Sequence, residues 1–183
     1  IVSLSGELVK VQMKKRKVKD SDEFLKILRI ANEKELNLIE EARSREKETM
    51  LKARIMARSL GLDMKLGDVE FQADCKKATF YYTANHRVDF RELIKELAIE
   101  FKVKIEMRQI GARQEAGRVG GIGSCGRELC CSTWLTSFKS VNTSAARYQN
   151  LSINQTKLSG QCGRLKCCLN YELDTYLDAL QGF

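Results

Sequence analysis

The chain has 183 residues, 43% of them hydrophobic and 31% charged, with a formal net charge of +8. That length can bury a core in one or two domains, and no stretch approaches the roughly 18 consecutive apolar residues of a membrane span, so no membrane insertion is expected. Seven cysteines and one histidine exclude multi-histidine metal sites and point to sulfur chemistry. Residues 1–19 lack the apolar core of a signal peptide, so the cysteines are expected in a reducing compartment, as thiols or metal ligands. The first residue is Ile1, not methionine, and the expectation is that the chain is the C-terminal portion of a longer protein.

Residues 1–19 read as the end of a truncated β unit, with alternating Val2, Leu4, Leu8, Val9 and Val11 turning at Ser5-Gly6. Five positive charges between Lys14 and Lys19 follow. Asp20 with Glu23 makes a capping-box signature, and residues 20–62 then read as one long helix, or a helical hairpin broken near Asn32. Its middle, EEARSREKET, is almost wholly polar. A helix with so little to bury is expected to bridge lobes or to pack on a partner.

Residues 63–110 read as an α+β unit of order β-β-α-β. Strand-like runs span Met64–Ala73 and Ala78–Ala84, and Asp89 with Glu92 makes a second capping signature. Phe90, Leu93, Ile94, Leu97, Ala98 and Phe101 then fall at helical spacing, and Val103, Ile105 and Met107 alternate as a strand. Cys75 sits in the first connection and reads as a structural thiol.

Residues 111–183 change character. Six glycines fall between Gly111 and Gly126, without apolar periodicity. Two near-copies follow, CGRELCC at 125–131 and CGRLKCC at 162–168, starting 37 residues apart and holding six of the seven cysteines. STWLTSFKSV reads as a short helix or strand packing on the site through Trp134, Leu135 and Phe138, Ser144–Gln149 as helical, Asn150–Ser159 as a loop, and LNYELDTYLDAL as a closing helix. The fold class is therefore α+β, with a long helical segment, a small sheet unit and a Gly/Cys-rich lobe.

Thiols at relative positions 1, 6 and 7 can wrap one centre from several sides, and adjacent cysteines reach it together only if the backbone turns there, because neighbours on a strand face opposite ways. Iron–sulfur, zinc and free regulatory thiols all remain open. Zinc fits less comfortably than iron–sulfur, since paired ligands two to four residues apart are absent. Two four-ligand centres would need two ligands more than the repeat supplies, from Cys75 and His86 or from a partner chain. Between Arg108 and Lys166 nine Lys or Arg stand against Glu115 and Glu128. That concentration suits a thiolate cluster or RNA phosphates. Aromatics among these charges are few (Trp134, Phe138, Tyr148), which argues against a base-stacking platform. Gly121-Ile-Gly123-Ser-Cys-Gly126 matches G-x-G-x-x-G, but without the strand, helix and distant acid of a dinucleotide site. No catalytic constellation is present: a Cys–His pair would have to use His86, and C-x-x-C is missing.

The segments IGARQEAGRVGGIGSCGRELCCSTWL and QNLSINQTKLSGQCGRLKCCLNYE resemble the bacterial YaaT/RicT family, whose hallmark is a PSP-one C-terminal domain followed by a second Cys-rich segment. The likeness covers about residues 49–172. Gln155 stands where that family has proline after the asparagine of the second segment. The resemblance implies a cytoplasmic, non-catalytic regulatory subunit that works with two small helical partner subunits. It implies [4Fe–4S] clusters, zinc being the alternative, and a link to RNase Y-dependent mRNA maturation and developmental signalling. Carried over by motif, the ligand candidates are Cys125, Cys130, Cys131, Cys162, Cys167 and Cys168, with Arg118, Arg127 and Arg164 as positive charge beside them or as nucleic-acid contacts. Direct RNA binding by the basic lobe is the alternative function.

Overall fold

The computed structural model describes residues 2–3, 27–135 and 137–181. The chain divides into two compact units, with the change falling between Ile110 and Gly111. The first opens with strand β1 (Val2–Ser3), paired antiparallel with β2 (Ile27–Arg29). The turn expected at Ser5-Gly6 and the Asp20–Glu23 signature lie outside the described residues.

Helix α1 runs over Glu33–Ser59, so it starts later than the first capping signature, and residues 27–29 are strand instead. The physical reason is a stronger start signal at Asn32. Its side-chain oxygen accepts the Glu35 N–H at 2.9 Å, while Glu35 accepts the Asn32 N–H at 2.8 Å. Arg29 grips the same carboxylate at 2.7 and 2.8 Å. The Arg29 guanidinium, with the Asn32 N–H, holds the Glu35 carboxyl down to about 2.

Strands β3 (Lys65–Phe71), β4 (Lys77–Thr83) and β5 (Lys104–Gln109) form a sheet of that order. β3 and β4 are antiparallel, and helix α2 (Arg91–Phe101) makes the crossover that sets β5 parallel to β4. Ala78, Phe80 and Tyr82 alternate inward from β4, and Leu93 and Leu97 of α2 pack with them. A register shift between Leu66 and Asp68 restores Leu66 to the face that Val69 and Phe71 share. The expected β-β-α-β order is observed. Asp89, however, does not cap α2: its carboxylate takes the N–H and the guanidinium of Arg91.

The polar middle of α1 has its explanation inside this unit. Ala42, Thr49, Ala53 and Ala57 are its buried residues, small enough for close approach to the sheet. Strand β3 lies at the edge, so some of its backbone groups have no neighbouring strand. Glu46 accepts the Phe71 N–H at 3.2 Å, Arg54 donates to the Leu66 carbonyl at 3.2 Å, and Arg45 lies over the Phe71 ring. Charged side chains of the helix therefore satisfy the sheet edge.

The second unit is helical: α3 (Ala112–Val119), α4 (Thr143–Tyr148), α5 (Gln155–Leu158), α6 (Cys168–Tyr171) and α7 (Leu173–Gln181). Ala145, Ala146, Leu158 and Leu169 form its core, with Val141, Leu165 and Leu173 against them. Buried Gln149 donates to the Leu169 carbonyl at 2.6 Å, tying α4 to α6. Three local expectations change. The glycine-rich start contains α3, α5 interrupts the expected loop, and the described residues after Trp134 form no helix or strand until α4.

Glu46 supplies a test. Burial pushes its carboxyl above the usual range, so its contribution to stability is present while it is protonated and is lost as pH rises through the folded-state value. Glu46→Gln keeps an acceptor for the Phe71 N–H without the buried charge. The variant is expected to unfold at higher urea than the parent near about pH 8, with the gap closing towards about pH 4. Equal destabilisation at both pH values would contradict this.

Candidate metal centre

The two cysteine motifs fold alike. In the first, Gly123 N–H donates to the Arg127 carbonyl at 2.7 Å and Gly126 N–H to the Gly123 carbonyl at 2.9 Å. In the second, Gly160 N–H donates to Arg164 at 2.8 Å and Gly163 N–H to Gly160 at 3.0 Å. Bridges between Ile122 and Glu128, and between Ser159 and Leu165, close the two small loops at equivalent positions. Gly126 and Gly163 sit at φ +79° and +71°, where an L side chain costs roughly 1–2 kcal/mol. This left-handed step turns the chain back, so the first cysteine of each copy lies near its later pair.

The problem of the adjacent cysteines is solved by backbone that turns there, a hydrogen-bonded turn over 130–134 in the first copy and the start of α6 in the second. Ser132 N–H bonds the Leu129 carbonyl at 3.0 Å and Leu135 N–H the Cys130 carbonyl at 2.8 Å. In the second copy Leu169 bonds Lys166 at 3.2 Å, and Cys167 is already right-handed helical as the residue before α6. Side chains of successive helical residues diverge by about 100°, not 180°, so both thiols of a pair can serve one space. The copies also meet through their aromatics. Trp134 and Tyr171 each stand three residues beyond a Cys-Cys pair, and their ring centroids are 4.5 Å apart.

All six repeat cysteines line a single cavity of about 260 Å³. Arg113, Glu128 and Lys166 are its charged lining residues. Cys125 is exposed, Cys131 is buried and the other four are half-buried. No disulfide joins the described cysteines. Burial, followed by repulsion from Cys167, pushes the Cys130 and Cys131 thiols up; burial, then Glu172 and Cys167, does the same at Cys168. Among the described residues no three His, Cys, Asp or Glu side chains are gathered tightly enough to hold a single ion as they stand. The donor set nonetheless suits a sulfur-ligated group: six soft ligands surround one space, and two positive side chains line it to offset thiolate charge.

Of the arginines picked out by sequence, Arg118 and Arg127 are exposed and do not line this cavity, while Arg164 lines a neighbouring one. The cations beside the thiols are Arg113 and Lys166. Gly160 and Tyr171 escaped the sequence reading, although they stand at the 37-residue offset of the cysteines from Gly123 and Trp134. Cys75 and His86 belong to the first unit. Cys75 packs against that unit's core from the β3–β4 connection, and His86 is exposed.

Comparison with known proteins places this architecture. The PSP1 C-terminal conserved region matches residues 25–110, and the third domain of PSP1-like proteins matches residues 140–183. The chain belongs to the PSP1 family. It is 49% identical over 151 residues to the stage 0 sporulation protein YaaT of Bacillus subtilis, covering 82% of this chain and 55% of that protein. Over 44 residues it is 52% identical to protein PSP1 of Saccharomyces cerevisiae, covering 24% of this chain and 5% of that protein. An uncharacterised Schizosaccharomyces pombe protein is 38% identical over 82 residues, which is 45% of this chain and 11% of that one. The chain therefore spans about half the length of the YaaT relative and a small part of the two yeast proteins. No solved structure matches it.

Gly117 of this PSP1-family chain gives a local test. A Cβ there would lie 2.8 Å from the Cys131 carbonyl oxygen, so Gly117→Ala must push α3 away from the first Cys-Cys pair. The expected cost is about 1–3 kcal/mol, with faster alkylation of Cys131 seen by mass spectrometry. Unchanged stability and labelling would show that α3 does not clamp this loop.

Proposed function

We propose that this PSP1-family chain is a non-catalytic regulatory subunit whose second unit holds an iron–sulfur cluster, of the [4Fe–4S] type, with zinc as the alternative metal. The observation that carries the reading is the convergence of six thiols, supplied by two loops with matching hydrogen bonds, on one cavity. The residues that would hold the group are Cys125, Cys130, Cys131, Cys162, Cys167 and Cys168. Bound there, a cluster would tie the two motif copies into one body. The chain itself supplies the ligands, the turn geometry and the cations Arg113 and Lys166 beside them.

The similarity to a stage 0 sporulation protein supports a place in developmental control. On our reading the chain acts in the cytoplasm with two small helical partner subunits, which complete the ligand set and modulate RNase Y-dependent mRNA processing. Exposed Leu36, Leu38, Leu51 and Ile55 on α1 offer apolar contacts to such a helical partner. The net charge of +8 favours a second reading, direct RNA binding by the same lobe.

Anaerobic reconstitution with iron and sulfide tests the first reading. The parent chain is expected to become coloured and to retain both elements on gel filtration. Cys167→Ser is expected to lose most of its iron, and Cys75→Ser to keep all of it. Stoichiometric zinc in a colourless protein, or full iron retention by Cys167→Ser, would overturn it.

A further inference from the structure

A second cavity in the Cys-rich unit has a different chemistry. It is an open cleft of about 590 Å³, lined by Arg113, Lys139 and Arg164 among others, with no Asp or Glu among its described lining residues. Lys139 and Arg164 are exposed, and neither makes an ion pair among the described residues. Three cations facing one space without an acid repel one another, an arrangement that an anion relieves.

Arg113 is held rigidly in that wall. Its terminal nitrogens donate to the Leu165 carbonyl at 2.9 Å and the Lys139 carbonyl at 3.4 Å, and its guanidinium lies 6.0 Å from the Phe138 ring centroid. Its Nε is buried without a hydrogen-bond partner among the described residues. Gly111, Ala112, Arg113 and Gln114, the first turn of α3 with the residue before it, also line the cavity. The Gly111 N–H is taken by the Gln114 side chain, and α3 has no side-chain cap to occupy the N–H groups that follow. Uncapped first-turn N–H groups favour an oxyanion.

The volume narrows the ligand class. It falls within the range of small-molecule sites and leaves room beyond an anionic head group. Phe138 on the wall offers an aromatic face to a planar group. We propose that this cavity binds the phosphate of a nucleotide, free or within an RNA strand, through Arg113, Lys139, Arg164 and the first turn of α3. The cavity holds no cysteine, although Arg113, Ser159 and Leu165 line both cavities, and phosphate binding there needs no cluster.

Titration calorimetry on the full chain, with ATP and a single-stranded oligouridylate as probes, tests it. The comparison is with a Lys139→Gln/Arg164→Gln variant, whose fold is checked by circular dichroism and whose iron content is followed in parallel. ATP is expected to bind in a salt-sensitive manner and to lose at least tenfold in affinity in the variant, with metal content unchanged. Oligouridylate binding that falls equally and is displaced by ATP supports the site with RNA as the source of phosphate. ATP binding without oligouridylate binding supports it with a free nucleotide. Failure of both probes to bind, or binding that the variant leaves intact, overturns it.

Discussion

A short backbone hydrogen bond, from Gly123 N–H to the Arg127 carbonyl at 2.7 Å and repeated from Gly160 to Arg164 at 2.8 Å, underlies the thiol cavity. Each bond closes a loop whose far end passes through a left-handed glycine, Gly126 or Gly163. Without that closure the first cysteine of a copy would have no fixed relation to the pair five and six residues later. With it, two thin loops lacking extended strands present three thiols each to one space. The Trp134–Tyr171 contact then joins the copies at equivalent positions, so the duplication is structural as well as textual.

This design asks little of a hydrophobic core. The buried residues of the second unit are mainly Ala145, Ala146, Leu158 and Leu169, and its local order comes from turns and caps. Such a small core is weak by itself. A sulfur-ligated group bound at the cavity would stabilise the folded state by linkage, since ligand binding to the native state adds to stability. The first unit differs, with Phe80, Leu93 and Leu97 buried between sheet and helices. One chain thus combines an α+β unit with a large apolar core and a helical unit with a small one.

Much of this was legible in the sequence, for identifiable reasons. Phe90 to Phe101 repeats at helical spacing because α2 buries one face, and Val103, Ile105 and Met107 alternate because β5 does. The cysteines were legible through duplication. The start of α1 was legible only as an alternative, the break near Asn32, and the reciprocal Asn32–Glu35 cap decides it. The polar middle of α1 gave no sign that Glu46 and Arg54 satisfy a sheet edge, a role with no sequence pattern. Helix α3 was hidden by Gly117, which reads as a breaker but is required by contact with the Cys131 backbone. Arg113 looked like one basic residue among many, and only the fold sets it between two cavities.

The account rests on the two motif copies facing each other across their sulfurs, with Cys130 beside Cys167. The most direct measurement is disulfide mapping by mass spectrometry after mild oxidation of the metal-free chain. Retaining only Cys75, Cys130 and Cys167, with the others changed to serine, should give a Cys130–Cys167 bridge joining the copies and leave Cys75 reduced. Recovery of both thiols free, or a bridge to Cys75 instead, would contradict the shared cavity.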